Sequence, residues 1–100
     1  LAQTHLQLMN DLWLAIDRDE LRLLYQPKFH APAGPVLGFE ALLRWQHPKQ
    51  GVLTPDMVLP LAERTWLIIP IGNWVINEAC RQLREWHLQG HQSWSMAVNL

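Results

Sequence analysis

Cysteine is nearly absent. Cys80 stands alone, so no internal disulfide can form, and a reducing compartment is favoured. Its place among apolar helix positions reads as a plain buried thiol rather than a reactive one. Blocks of like charge are also missing: 8 Lys and Arg are scattered among 9 Asp and Glu, for a net charge of −1. That balance excludes a basic groove for a nucleic-acid polymer and a polybasic membrane patch. Apolar runs such as Trp66 to Ile69 fall far short of the roughly 20 residues a membrane-spanning helix needs. With only 5 glycines there is no Gly-rich loop to cradle a phosphate, and no nucleophile elbow occurs. The five His residues lack metal-ligand spacing. His87 and His91 are four apart, but Gly90 interrupts any helix between them, so a shared metal is not expected.

What is present is core material. Hydrophobic residues make up 49% of a 100-residue chain, ample for one domain at most. Trp is abundant at 6 residues. Trp13, Trp74 and Trp86 fall on helical stripes and Trp45 on an apolar strand face. With no interleaved basic residues, all four read as core rather than as a platform for stacked bases. The chain opens on Leu1 rather than Met, so its start reads as cut from something longer, with N-terminal processing as the alternative.

Hydrophobic periodicity sets out six elements. Leu6, Met9, Leu12, Trp13 and Ile16 recur at helical spacing, predicting an amphipathic helix over roughly Thr4 to Arg18. Leu21 to Phe29 alternates as a strand, with Pro27 marking an edge or an irregular end. A Pro- and Gly-containing turn over residues 30–35 leads to a second strand, Val36 to Trp45, close enough to pair antiparallel with the first. Residues 47–51 read as a loop. Thr54 then offers an N-cap and Pro55 a first helical residue, opening a helix to about Arg64. A longer helix is predicted from about Ile71 to Gln89, stopped by Gly90. Its buried stripe would be Val75, Ile76, Ala79, Cys80, Leu83 and Trp86, with Asn77, Glu78, Arg81, Arg84 and Glu85 on the wet side. Ser93 to Leu100 closes the list as a third strand. The helical crossover before it favours a parallel pair with the second.

The second strand carries the chemistry. Glu40, Leu42 and Arg44 point to one face, and Phe39, Ala41, Leu43 and Trp45 to the other. The latter face is wholly apolar and wants a layer of helix. Charges on the former are costly unless they pair or meet a metal or an anionic ligand, an arrangement that suits a cation and a phosphate bound together. These residues also resemble a family signature. Glu40-Ala41-Leu42, with Leu43-Arg44-Trp45 and His47-Pro48, looks like the motif of the EAL-domain cyclic-di-GMP phosphodiesterases. Tyr25-Gln26-Pro27, Pro60-Leu61-Ala62-Glu63, residues 71–75, Ala79-Cys80 and Val98-Asn99-Leu100 follow the family's order.

The resemblance implies an α/β fold: the N-terminal part of a TIM-like (β/α)8 barrel whose first strand is antiparallel, incomplete in this chain. Such a barrel needs eight strands and roughly 250 residues; three strands are expected here, so residues 1–100 would be one partial EAL domain. It further implies that Glu40 is a catalytic residue ligating Mg²⁺ or Mn²⁺, with Asn99 as a second ligand. Hard divalent cations accept carboxylate and amide oxygens of this kind. Arg44 would hold a phosphate of cyclic-di-GMP through its paired donors. Leu42 would pack on a guanine, and Gln26 would hydrogen-bond a base edge. Alternatively Arg44 braces Glu40, and Gln26 is an ordinary barrel-interior amide. Glu63 reads as structural and Glu78 as solvated.

In the family's complete domain these residues serve metal-dependent hydrolysis of one phosphodiester bond, giving the linear dinucleotide. The further carboxylates and Lys that two-metal chemistry requires come from later strands, so this chain alone is expected to be inactive. The competing reading is a truncated or degenerate module kept for dinucleotide binding or protein contacts. Exposed strand edges predict a homo-oligomer, and a cytoplasmic bacterial setting is expected. One departure stands out: Trp66 occupies the place, just past a helix, where the family has Gly at a left-handed turn.

Overall fold

A computed structural model describes residues 5–99. It contains α1 (His5–Ala15), β1 (Leu21–Phe29), β2 (Val36–His47), β3 (Gly51–Leu53), α2 (Pro55–Arg64), α3 (Ile68–Leu88) and β4 (Ser95–Val98). The expected order of helices and strands is present, with one strand more than expected. Thr4, the expected start of α1, and Leu100 lie outside the described residues.

The extra strand has a local cause. β2 runs two residues past Trp45, and Gln46 and His47 pair antiparallel with Val52 and Gly51. Gly51 takes φ 75°, the left-handed conformation that closes a three-residue hairpin loop. His47 holds that loop: its Nδ1 accepts backbone N–H bonds from Lys49 and Gln50, both at 3.0 Å. α3 also starts earlier than predicted, at Ile68. Pro70 falls within its first turn, where a missing N–H leaves no helical bond unmade. The far end behaves as expected. Gly90 has φ 108°, its N–H bonds His87 O at 3.1 Å, and the His91 N–H bonds Trp86 O at 3.0 Å, together a Schellman cap. Thr54 is the extended N-cap residue of α2, with Pro55 following, but its hydroxyl bonds the Asp56 carboxylate rather than a backbone N–H.

β2 is the centre of the sheet. β1 runs antiparallel along one edge from Leu21↔Trp45 to Phe29↔Val36. The other edge is shared: β4 pairs parallel with Gly38 to Ala41, and β3 antiparallel with Trp45 to His47. Gly38 is required by this close approach, because a Cβ there would lie 2.9 Å from the Ser95 carbonyl carbon.

One sheet face is covered by helices. Leu21, Leu43, Trp45 and Leu53 form a single core with Leu8, Leu12 and Ala15 of α1, Val58, Leu61 and Ala62 of α2, Leu67, and Ile71 and Val75 of α3. Trp45 is wholly buried, and its indole N–H donates to Glu20 Oε1 at 3.1 Å. Farther along, Trp86 of α3 packs on Phe39 and Tyr25. Three core expectations are overturned. Trp13 is 66% exposed, because α1 buries the Leu8, Leu12 and Ala15 line and Trp13 lies about 100° round from Leu12. On α3 the buried line is Ile71, Gly72, Val75 and Ala79; Ile76 and Cys80, each one residue on, turn outward. Cys80 is therefore an exposed thiol.

The opposite sheet face has no layer against it among the described residues. Leu24, on that face, is 53% exposed. The radius of gyration is 15.5 Å, larger than the roughly 13 Å of a compact 100-residue domain, as a slab covered on one side should be.

Candidate dinucleotide and metal site

The open face is where the candidate residues meet. Directly paired residues point to the same side of a sheet, so register alone assembles the site. Glu40 is paired with Gln26 on one side and Ala97 on the other. Leu42 is paired with Leu24, and Arg44 with Arg22. Leu21, Leu23, Ala41, Leu43 and Trp45 turn to the helices; Gln26, Glu40, Leu42 and Arg44 remain on the open face.

Asn99 follows β4 directly. The parallel pairing of β4 with β2 carries it to Glu40, and its Nδ2 donates to Glu40 Oε1 at 2.5 Å across 59 residues of sequence. Both side chains present hard oxygens: the carboxylate as it stands, and the amide once turned end for end. That chemistry fits Mg²⁺ or Mn²⁺ better than a soft or borderline ion. It is nevertheless incomplete. Among the described residues no group of three His, Cys, Asp or Glu could hold a metal, and two side chains are few against the six positions of an octahedral shell.

Arg44 does not brace Glu40. They are four positions apart along β2, roughly 13 Å of backbone, and the Arg44 Nη1 donates instead to Leu43 O at 2.7 Å. The guanidinium is thus steered by its own backbone and has no carboxylate partner among the described residues.

The other weighed residues lie elsewhere. Glu63 is exposed near the end of α2. Glu78 is only half solvated, contrary to expectation. Arg81 grips it through Nε at 2.9 Å and Nη2 at 2.5 Å while also reaching Glu85 at 3.1 Å, which drives the Arg81 pKa upward. The Tyr25 phenol beside them is held above its ordinary pKa, first by burial and then by the Glu78 charge, with Arg81 opposing. The His87 and His91 rings are committed separately: His87 Nε2 bonds Trp94 O at 2.7 Å, and His91 stacks on Trp94 at 3.8 Å.

Sequence reasoning named His47 only as part of the motif and gave it no role. It is 4% exposed, and its Nε2 lies 2.8 Å from Asp11 Oδ2, tying α1 to the end of β2. Because Nδ1 accepts two N–H bonds, Nε2 carries the proton and donates it to Asp11. A His three residues beyond Arg44, ahead of a Pro, was the available signal.

Residues 9–100 match the family model described as EAL domain. The chain belongs to the EAL domain family. Glu40-Ala41-Leu42 is the stretch that spells the family's name, at the middle of β2. Over 99 residues the chain is 58% identical to the bifunctional diguanylate cyclase/cyclic di-GMP phosphodiesterase MucR of Pseudomonas aeruginosa, spanning 99% of this chain and 14% of that protein. It is 44% identical over 98 residues to the cyclic di-GMP phosphodiesterase NbdA of the same organism, spanning 98% of this chain and 12% of that protein. Among solved structures, the MucR phosphodiesterase in complex with c-di-GMP superposes with a TM-score of 0.91 at 57% identity, over 94% of this chain and 38% of that one. The EAL fold therefore accounts for the slab: its open face is the side that a barrel turns inward. No helix among the described residues is long and apolar enough to cross a membrane.

Proposed function

We propose that this chain contributes the first strands of a cyclic-di-GMP phosphodiesterase domain, residues 1–100 forming part of one EAL domain. The observation that carries the reading is the meeting of Asn99 with Glu40 on the sheet face that the described residues leave uncovered, the face that also holds Gln26 and Arg44. Glu40 and Asn99 would hold a divalent cation, Mg²⁺ or Mn²⁺; Arg44 would bind a phosphodiester oxyanion, Leu42 would pack on a guanine, and Gln26 would hydrogen-bond a base edge. A bound cation would supply activation of water and neutralisation of charge on the scissile phosphate. This chain's own residues bind and orient. The apolar Leu24–Leu42 pair gives a base a dry surface, and Arg44 fixes a phosphate by charge-assisted bonds.

Catalysis needs more. With two metal-donor side chains in place and no third acidic or His partner among the described residues, the second reading, binding without turnover, is favoured for the chain by itself. The test is incubation with cyclic-di-GMP in Mg²⁺ or Mn²⁺ and chromatography of the products. No linear dinucleotide is expected. Product that disappears in Glu40→Ala would refute the inactive reading and make the chain a sufficient enzyme. Binding without product, lost in Glu40→Ala when the cation is present, would support the site as assigned.

A further inference from the structure

The register that pairs Glu40 with Gln26 places Arg22 directly opposite Arg44. Opposed residues on neighbouring antiparallel strands have Cβ atoms about 5 Å apart, and like charges so placed destabilise a sheet unless something lies between them. β1 points Leu21 and Leu23 into the core, which sets Arg22 on the open face with Leu24 and Gln26.

The hydrogen bonds leave both forks available. Arg22 uses Nη1 for Asp19 O at 2.7 Å, Leu21 O at 2.8 Å and the Asp19 carboxylate at 3.3 Å. Arg44 uses Nη1 for Leu43 O. No bond is made from Nε or Nη2 of either residue to any described residue. Counter-charge is scarce. Asp19 has a side chain 86% exposed to solvent, and the Glu20 carboxylate receives the Trp45 indole N–H. Two arginines opposed in register, each with an unused guanidinium donor edge, call for an oxyanion with two accessible oxygens.

We propose that Arg22 joins Arg44 in a two-guanidinium clamp on one phosphodiester group of the dinucleotide, Arg22 being a binding residue that the EAL motif does not contain. This rests on the dinucleotide reading above. A plainer role competes with it: Arg22 bracing the turn at Asp19, whose φ of 57° is left-handed.

The whole chain, as wild type, Arg22→Gln, Arg22→Lys and Arg44→Gln, is titrated with cyclic-di-GMP in Mg²⁺ by calorimetry. The Arg Nε–H resonances are followed by NMR, and melting is recorded without ligand. The clamp predicts an Arg22 Nε–H resonance that moves on binding and affinity about tenfold weaker in Arg22→Gln. Arg22→Lys, which keeps the charge but loses the fork, should fall between. The ligand-free melting temperature should be unchanged or raised, because facing like charges are relieved. Unaltered affinity in Arg22→Gln beside a clear loss in Arg44→Gln overturns the clamp and leaves the dinucleotide reading standing. A lower ligand-free melting temperature with unaltered affinity assigns Arg22 to the turn and likewise overturns the clamp. No saturable binding to the wild-type chain overturns both.

Discussion

Trp66 holds a backbone conformation that its side chain disfavours. It follows α2 with φ 63° and is 77% exposed, so little packing compensates for the strain. A Cβ in the left-handed region costs roughly 1–2 kcal/mol, from its approach to the neighbouring carbonyl oxygen. Glycine escapes that cost but has more unfolded-state freedom to lose, about 0.4–1 kcal/mol relative to alanine. Comparing Trp66→Gly with Trp66→Ala isolates the backbone, because both remove the same indole. The difference is then about 1 kcal/mol in favour of glycine, or roughly 4–8 °C in melting temperature for a chain of this size. Against wild type, Trp66→Gly should also gain stability, by less, because the covered part of the indole is lost too. Urea denaturation followed by far-ultraviolet circular dichroism measures all three. An alanine variant equal to or more stable than the glycine variant would refute the strain argument. A glycine variant less stable than wild type would show that Trp66 is held by packing.

Gly38→Ala should destabilise the fold by about 1–3 kcal/mol, since the new methyl meets the Ser95 backbone and pushes β4 from β2; an unchanged denaturation midpoint would contradict the close approach. Tyr25 is the sole tyrosine, so absorbance near 295 nm reports it alone. Its folded pKa is raised, so its contribution to stability is complete below the unfolded value near 10 and is lost as pH rises through the folded value. Glu78→Gln should move that titration downward, and an unshifted curve would remove Glu78 from the cause. The uncovered face around Leu24 and the free strand edges should drive self-association, giving a symmetric dimer or strand exchange. A concentration-independent 11.7 kDa species in light scattering at high micromolar concentration would refute this.

Much of the fold was legible because it is local. The antiparallel β1–β2 pair follows from two alternating strands separated by a short turn. The Gly90 stop follows from the conformation only glycine takes freely, and Pro55 from the geometry of a first helical turn. The left-handed backbone at Trp66 was legible only against the resemblance, which showed Gly to be the expected residue. Helix faces were less secure. Trp13, Ile76 and Cys80 sit at the margins of apolar stripes, and a rotation of about 100° decides whether such a residue meets the sheet or the solvent.

Periodicity placed Glu40, Leu42 and Arg44 on one strand face, and the motif named their partners. What neither could decide is which residues touch. Parallel pairing of β4 joins Asn99 to Glu40 across 59 positions, and antiparallel register opposes Arg22 to Arg44. Burial of His47 against Asp11 likewise depends on where α1 docks. Such contacts are set by strand register and helix docking, which are properties of the packed sheet. A shift of one residue would send every side chain of a strand to its other face. Composition, caps and alternation are written residue by residue along the chain; the site exists only once the β1–β2 pair and the sequence-distant β4 share a face.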